Sequence, residues 1–228
     1  MTGDQLSGDI KLGPLLRKVG HLLRNKLAVL GNSTYYLRLR LDDTDEKVTR
    51  HLSLMEGEVA VASAVIADLM DVVMVKEPVR RPLDVNQIVG DALSELAHPD
   101  AVEVVAELRP GLPLIDADQA QIGRAVEKLL VNAVEAMSSS PAGGRLTVCT
   151  GLSDDGRMVW VTISDTGSGI PAEDLDRLFD PLFTTKPQGF GLGLPIARGF
   201  VECHGGHLEV QSGPEGTTCT VMLPCGDR

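Results

Sequence analysis

The 228-residue sequence lacks the features that would assign it to a membrane, secreted or nucleic-acid-binding class. No apolar run approaches the ~20 residues that span a bilayer, and residues 1–13 contain no basic stretch leading into an apolar core. We therefore expect neither a membrane span nor a signal peptide. The net charge of −11 argues against nucleic acid as a partner, since that partner requires a basic surface. The four cysteines form no CxxC pair and no metal-ligand spacing with histidine, and reduced thiols in a cytoplasmic protein are the expected state.

One region of the sequence is almost free of proline. Residues 14–76 contain a single proline, and their apolar residues recur at alternating steps of four and three, which is typical of helical hairpins and coiled coils. We expect one helix from Pro14 to the acidic segment LDDTDE, and a second helix after this turn. The predicted packing positions are Leu16, Gly20, Leu23, Leu27, Leu30, Thr34, Leu37 and Leu41, then Val48, Leu52, Met55, Val59, Ala62, Ile66, Leu69 and Val73.

Two such helices bury little surface by themselves. Leu15, Val19 and Leu22 add a second apolar stripe to the first helix, so the hairpin is expected to pair with a second copy. The sequence therefore predicts a homodimer built on a four-helix bundle. Residues 1–13 are predicted as a tail and residues 14–77 as the dimerisation hairpin.

Residues 78–228 have a mixed pattern. Two prolines in VKEPVRRPLDV mark a linker that enters a short strand, and helical patterns follow at 86–96, at 118–137 and over PIARGFVECHG. The strand-like segments are VEVVAEL, RLTVCTG, MVWVTISD, HLEVQSG and TTCTVMLP, with SDDGR as a hairpin turn. This mixture predicts an α/β sandwich in which helices cover one face of a sheet.

Four motifs with nucleotide-binding chemistry follow one another in this second part. KLLVNAVEAM places Asn132 on an amphipathic helix, and its carboxamide oxygen is a ligand that Mg²⁺ accepts. ISDTGSGIP ends a strand in Asp165, whose carboxylate can accept a hydrogen bond from the amine of adenine, and its glycines let the backbone approach a flat ring. LFDPLFTTK supplies two phenylalanines as an apolar anchor and Lys186 as a cation near phosphates. GFGLGL at residues 189–194 opens a helix whose N-terminal amides form an anion site.

Each motif alone is a weak signal, because a single glycine-rich run is more often a turn or a helix cap. Their fixed order is specific, and it resembles the N box, two glycine boxes and F box of the ATP-binding domain shared by gyrase, heat-shock protein 90, histidine kinases and MutL-type mismatch-repair proteins. The set is most similar to the histidine kinase branch, which implies a Bergerat-type sandwich with Mg-ATP under a flexible lid, here the short PQGF. It implies Asn132 as the Mg²⁺ ligand and Asp165 as the adenine contact. The predicted nucleotide-contacting residues are Asn132, Asp165, Gly167, Gly169, Ile170, Lys186, Gly189, Gly191, Leu192, Gly193, Leu194 and Thr218.

Lys128 departs from the family pattern. Related histidine kinases usually carry a second asparagine at this position, and gyrase-like ATPases carry a glutamate that acts as general base. A protonated lysine cannot be that base, so simple ATP hydrolysis is disfavoured. Whether Lys128 contacts the phosphates instead stays open.

His21 is the predicted phosphoacceptor. It lies one step off the packing positions, and Arg17, Arg24 and Asn25 share its face at helical spacing. A neutral imidazole is a nucleophile, and guanidinium groups beside it attract a phosphate. The histidines at 51, 98, 204 and 207 are expected to be surface or capping residues. The segment from His21 to Leu27 resembles the H box of histidine kinases at five of seven positions, and this resemblance implies catalytic roles for His21, Arg24 and Asn25.

Two positions of this segment differ from the H box. Leu22 replaces the acid that polarises the imidazole in the family, and Lys26 replaces a proline that kinks the helix. Three alternatives stay open: slow transfer, a base supplied by the ATP-binding domain, or transfer without a base. Without the acid, efficient phosphatase activity through Asn25 is not expected.

We interpret the chain as a dimeric histidine kinase that transfers phosphate from ATP to His21 and then to an aspartate of a response-regulator receiver domain. Residues 11–40 contain seven Lys or Arg and no Asp or Glu, so this helix, including Arg38 and Arg40, is either a solvated face or a docking surface for the acidic receiver. If Met1 is the true start, the input is expected from a separate sensor protein; the alternative is that the chain is an excised catalytic core. The alternative hypotheses are a non-kinase phosphotransfer or scaffold protein with a retained ATP fold, and a serine-directed kinase, which the hairpin disfavours.

Overall fold

The computed structural model describes residues 6–41, 45–73, 77–137, 143–186 and 189–226, with side chains described from residue 19 onward. The chain divides into two compact units, Met1–Met74 and Val75–Arg228. The break between them lies three residues before the predicted boundary at 77/78. Each unit is described by itself.

The first unit consists of two helices, α1 (Leu6–Arg40) and α2 (Glu46–Val73). The predicted start at Pro14 and the predicted tail are wrong from Leu6 onward, because the helix runs through the proline. A proline inside a helix lacks the N–H donor and its ring crowds the carbonyl four residues before it, which destabilises the helix but does not by itself set where the helix begins. Asp45 caps α2, since its Oδ1 accepts from the N–H groups of Lys47 (2.9 Å) and Val48 (3.3 Å). Residues 42–44 of the predicted turn lie outside the described residues.

The predicted packing positions of α1 separate into two groups. Gly20 and Thr34 are buried, whereas Leu23, Leu30 and Leu37 are exposed in the single chain. Exposed apolar side chains on α1 and α2 are Val19, Leu22, Leu23, Val29, Leu30, Leu37, Leu39, Leu54, Met55, Val61 and Leu69. One copy of the hairpin therefore leaves much of its apolar surface uncovered.

The second unit is an α/β sandwich, as the sequence predicts. Its elements are β1 (Arg81–Leu83), α3 (Val85–Glu95), β2 (Val102–Leu108), β3 (Ile115–Ala117), α4 (Gln119–Met137), β4 (Gly144–Leu152), β5 (Met158–Asp165), a 3-10 turn (Ala172–Arg177), α5 (Gly193–Cys203), β6 (His207–Gly213) and β7 (Gly216–Pro224). The main sheet has five strands in the order β2-β4-β5-β7-β6, in which β2 is parallel to β4 and every other neighbouring pair is antiparallel. Strands β1 and β3 form a separate antiparallel pair. Strand β3 and the 3-10 turn are absent from the sequence prediction.

The core lies between the main sheet and its helices. Burial alternates along β5 and β7, with residues such as Ile163 and Val221 buried and their neighbours half-buried. Helices α4 and α5 pack on the buried side. On the other side, Trp160 lies against Gly151, where any Cβ would collide with its ring. The predicted sheet with helices on one face is thereby confirmed.

No helix in the described part of the chain is long and apolar enough to cross a membrane.

Candidate functional site

Asp165 ends β5 at the centre of the main sheet. Its Oδ1 accepts hydrogen bonds from the N–H groups of Gly167 (2.8 Å) and Thr217 (3.3 Å), and the residue is 9% exposed. Burial raises the pKa of the Asp165 carboxyl above its usual value, against the opposing effect of the two N–H groups and of the charge on Lys186. Both of the described hydrogen bonds fall on Oδ1, so Oδ2 keeps its lone pairs for a donor such as an exocyclic amine.

The loop after Asp165 is fixed by close backbone contacts. Gly169 has φ of +67°, and a Cβ at this position would collide with the carbonyl oxygen of Gly213. The N–H of Ile170 donates to Ser212 Oγ at 2.8 Å, and Ser212 Oγ lies 2.8 Å from Thr217 Oγ1. These contacts join the loop to the β6–β7 hairpin, so Gly169 and Ile170 lie in the predicted site through their backbone.

The structure places the predicted Thr218 and its neighbour Thr217 on opposite faces of the sheet. Thr218 Oγ1 lies 2.9 Å from Ser164 Oγ, and both side chains are on the face of the sheet that the helices do not cover. Thr217 is buried and donates its N–H to Asp165, so Thr217 is the threonine that contacts the predicted adenine-binding residue. Successive residues of a strand point to opposite faces, and the alternation of Thr217 with Cys219 and Val221 would have indicated that Thr217 is the buried one.

The GFGLGL segment brings the start of α5 against α4. A Cβ on Gly193 would lie 3.0 Å from Asn132 Nδ2, so the Asn132 carboxamide lies beside the N-terminus of α5. Gly191 has φ of +64°, and its carbonyl accepts from the N–H of Leu182 at 3.0 Å. Leu192 is buried in the core, so only its main chain is available to a ligand. The free N–H groups of a helix start and an adjacent carboxamide form a site suited to phosphate.

Lys186 extends to the same helix. Its Nζ donates to the carbonyl oxygen of Asn132 at 3.2 Å and to Glu135 Oε2 at 2.7 Å, while the N–H of Gly189 donates to the Lys186 carbonyl at 3.2 Å. The prediction of a cation near the phosphate loop agrees with this position. Glu135 is absent from the sequence prediction, although its place three residues after Asn132 puts it on the same helical face. Pro187 and Gln188 of the predicted lid lie outside the described residues.

The donor groups beside this loop suit a magnesium ion that arrives with phosphate. Among the described residues, no group of three or more His, Cys, Asp or Glu side chains could hold a metal ion. Asn132 would supply a carboxamide oxygen, and Mg²⁺ commonly completes its shell with phosphate oxygens and water. The residues present fit that arrangement.

Cys219 lies in the buried layer of β7 near Asp165. Burial, together with the charge of Asp165, raises the pKa of the Cys219 thiol to about 12. A thiol with this pKa stays protonated at neutral pH and is a poor nucleophile. The site therefore has no cysteine chemistry in this position.

The histidines outside α1 differ in exposure. His51, His98 and His207 are exposed, but His204 is 1% exposed and buried at the end of α5. His204 fits the capping alternative of the prediction, since it is the C-cap of α5, but it is buried and its ring forms internal hydrogen bonds. The Gly205–Gly206 pair that follows His204 predicts the end of the helix but does not predict the burial of the histidine.

The predicted acceptor residues lie on α1 in the first unit. His21, Arg24 and Asn25 are all exposed, and Leu22 between them is 58% exposed. The side chain of Arg17 lies outside the described residues. An exposed imidazole with a cationic neighbour is accessible to a phosphate donor, but Leu22 supplies no acid or base.

Known proteins are similar to this chain over both of its units. The model of the histidine kinase-, DNA gyrase B- and HSP90-like ATPase family matches residues 117–227. The sensor protein FixL of Bradyrhizobium diazoefficiens is 32% identical over 226 residues, which are 95% of this chain and 44% of FixL. The sensor protein TdiS of Thauera aromatica is 31% identical over 213 residues, which are 90% of this chain and 39% of TdiS. The chain thus spans less than half the length of these curated relatives.

Two solved structures extend the comparison. Full-length ShkA in complex with AMPPNP is similar in fold, with a TM-score of 0.77 at 21% identity over 94% of this chain and 46% of ShkA. The mycobacterial sensor histidine kinase MprB is 30% identical with a TM-score of 0.58, over 66% of this chain and 100% of the MprB chain. Since MprB is 30% identical and the likeness extends over the whole of the MprB chain, we conclude that this chain belongs to the sensor histidine kinase family.

Proposed function

We propose that this chain is a protein-histidine kinase core that transfers the γ-phosphoryl group of ATP to His21, and from His21 to an aspartate of a response-regulator receiver domain. The observation that carries the proposal is that three motifs meet on α4: Asn132 lies beside the start of α5, Lys186 donates to the Asn132 carbonyl, and the Gly167 backbone that Asp165 holds lies against Ala136. A buried carboxylate suits the adenine amine, and the helix start with a nearby cation suits a triphosphate. The relation to ShkA, whose structure contains AMPPNP, supports a nucleotide in this cleft.

The residues of the cleft would orient the nucleotide rather than react with it. Asp165 would fix the base, and the amides of 189–193 with Lys186 would hold the phosphates in line with the acceptor. Asn132 would hold Mg²⁺, which when bound neutralises phosphate charge. An imidazole lone pair of His21 would then attack the γ-phosphorus while the bond to the β-phosphate oxygen breaks and ADP leaves. The exposed Arg24 guanidinium, one helical turn from His21, would attract the transferring group.

The direct test is labelling of the whole chain with γ-labelled ATP and Mg²⁺. We expect an acid-labile, base-stable label that disappears in His21→Gln. His51→Gln is the matched control, because His51 is also an exposed helical histidine, and it should label like the wild type. Label that persists in His21→Gln would contradict the acceptor, and nucleotide binding without any label would favour the scaffold hypothesis.

We further propose a homodimer that forms through the helical hairpin. The exposed apolar side chains of α1 and α2 support it, because a monomer would leave them in water. Sedimentation of the whole chain should give twice the 24.3 kDa monomer mass. Glutamate at Leu30 and Leu37, two exposed positions one heptad apart, should shift the equilibrium to monomer.

The receiver domain is proposed to dock on the basic part of α1. Arg38 does not suit this role, because its guanidinium donates to both Glu56 oxygens (3.0 and 2.7 Å) within the hairpin. Lys26 and Arg40 are exposed and suit it better. Glutamate at both of these positions should slow transfer to the receiver without changing labelling of His21; an unchanged transfer rate would contradict the docking surface. We place this activity in the cytoplasm, where ATP is supplied.

A further inference from the structure

The first described residues of the ATP-binding unit are hydrogen-bonded to the ends of two helices. The N–H of Val79 donates to Asp118 Oδ2 at 2.9 Å, and Arg80 Nη2 donates to the carbonyl oxygen of Cys203 at 2.9 Å. The Val79 side chain is 66% exposed, so polar contacts rather than apolar burial hold this segment. Residues 77–80 follow α2 in the chain after only residues 74–76. We refer to Val79, Arg80, Asp118, Cys203 and His204 as the linker anchor.

The Asp118 carboxylate divides its oxygens between two elements. Oδ1 accepts from the N–H groups of Ala120 (3.0 Å) and Gln121 (3.2 Å) and caps α4, whereas Oδ2 accepts from Val79. Burial alone would raise the pKa of Asp118, but these N–H donors outweigh it and hold the pKa below the usual value. Asp118 is therefore an ionised acceptor at neutral pH that joins residues 77–80 to the first turn of α4.

His204 joins the same point to the end of α5. The N–H of Asp118 donates to His204 Nε2 at 2.9 Å, so Nε2 carries a lone pair and the proton is on Nδ1. His204 Nδ1 then donates to the carbonyl oxygen of Phe200 at 2.7 Å. With 1% of its surface exposed, this neutral imidazole is a fixed internal acceptor.

The same two helices form the nucleotide site at their other ends. Asn132 is in the second half of α4 and lies beside Gly193, the first residue of α5, whereas the linker anchor holds the start of α4 and the end of α5. The two helices therefore pair in opposite directions, with the nucleotide site at one end and the linker anchor at the other. Residues 77–80, where the chain enters this unit, are consequently bound to α4 and α5, the two helices that would position the phosphates.

We infer that Asp118, held by His204, is a positioning residue that fastens residues 77–80, the segment after α2, to the two helices of the nucleotide site, and that transfer to His21 depends on this contact. This inference rests on the proposed function. A purely structural role of Asp118 would consist of its cap of α4. The inferred role depends instead on its hydrogen bond with Val79, which contributes nothing to that cap.

Two substitutions remove this contact from opposite sides. Asp118→Asn keeps an oxygen to cap α4 but turns an amide donor toward the Val79 N–H, and asparagine is a good cap. Val79→Pro deletes the N–H itself, and Val79→Ala is the control that retains it. We expect each of the first two to lower the kcat of His21 labelling about tenfold, as expected for loss of a hydrogen bond to a charged acceptor, with the KM for ATP nearly unchanged. The double variant should be no slower than either single variant.

Several outcomes would overturn the inference. These are an unchanged or increased kcat in both single variants, multiplicative losses in the double variant, or a KM for ATP that rises in parallel with a fall in kcat. If the wild-type chain takes no label at His21, the proposed function fails instead. In that case, exchange of the Val79 amide hydrogen tests the hydrogen bond between Val79 and Asp118. Slower exchange in the wild type than in Asp118→Asn supports this contact, and equal exchange refutes it.

Discussion

The two units place their functional residues in opposite environments. On α1, His21 and its neighbours Arg24 and Asn25 are exposed, so they depend little on the packing around them. In the ATP-binding unit, Asp165 is buried and held by the backbone of two separate segments. An acceptor that must meet a donor and then a receiver has to remain accessible, whereas a carboxylate that selects a base gains from removal of water. The proposed acceptor site at His21 is therefore defined by position on a helix, and the proposed nucleotide site at Asp165 by packing.

The largest expected effect, on ATP affinity, comes from substitution of the buried Asp165. Asp165→Asn replaces an acceptor by a group whose amide donor would face the adenine amine, so ATP affinity should fall about 100-fold, measured by calorimetry. The free energy of unfolding should change little, since the substitution also removes a desolvated charge. Because the folded-state pKa is raised, acidification should weaken ATP binding in the wild type earlier than for an ordinary aspartate. Asp116→Asn, at an exposed aspartate, is the control, and equal affinity losses in both variants would contradict the assignment.

A second prediction concerns a substitution at Leu22, beside the exposed His21. Leu22→Glu restores a carboxylate next to His21, at a position that is 58% exposed in the single chain. If the imidazole lacks a base, the rate of His21 labelling should rise at least about tenfold, with no change in ATP affinity. Leu22→Gln is the uncharged control. A rate that does not rise with glutamate would indicate that the transfer already has a base or needs none.

A smaller effect is expected where the ATP-binding unit has a surface ion pair. Lys186 and Glu135 are 37% and 50% exposed, so their interaction is weak. ATP phosphates would compete with Glu135 for the lysine, and Glu135→Gln should therefore raise ATP affinity about two- to threefold. Lys186→Gln should lower it. Weaker ATP binding in Glu135→Gln would instead mean that Glu135 holds Lys186 in position for the phosphates.

The smallest effect is expected for the ion pair within the hairpin. Arg38→Met should lower the melting temperature of the helical unit slightly and leave ATP affinity unchanged, with Arg40→Met as the control. The hydrogen bond from Arg38 lowers the pKa of Glu56, so this stabilisation is present at neutral pH and is lost as the pH falls through the folded-state pKa. A melting temperature that falls equally in both variants would assign the effect to charge rather than to this pair.

The sequence predicts the sandwich and most of its site because periodicity and motif order are local properties. Strands β2, β5 and β6 have the predicted limits, and Asn132 and Asp165 lie where the motifs imply. Contacts between distant segments are not encoded in this way. The Glu135–Lys186 pair joins residues 51 positions apart, and the burial of His204 depends on Asp118, 86 positions away. The choice between Thr217 and Thr218 is difficult for another reason, since a shift of one residue along a strand exchanges its two faces.

Trp160 gives the two units separate optical signals. The chain contains one tryptophan and two tyrosines, and these are Trp160 in the ATP-binding unit and Tyr35 and Tyr36 on α1. The indole lies against Gly151 on the uncovered face of the sheet, so its emission reports on the integrity of that sheet. Selective excitation of tryptophan therefore follows melting of one unit, while Tyr35 and Tyr36, the two tyrosines of the sequence, report on α1 of the other. The unfolding of each unit can be measured in the intact chain without an added dye.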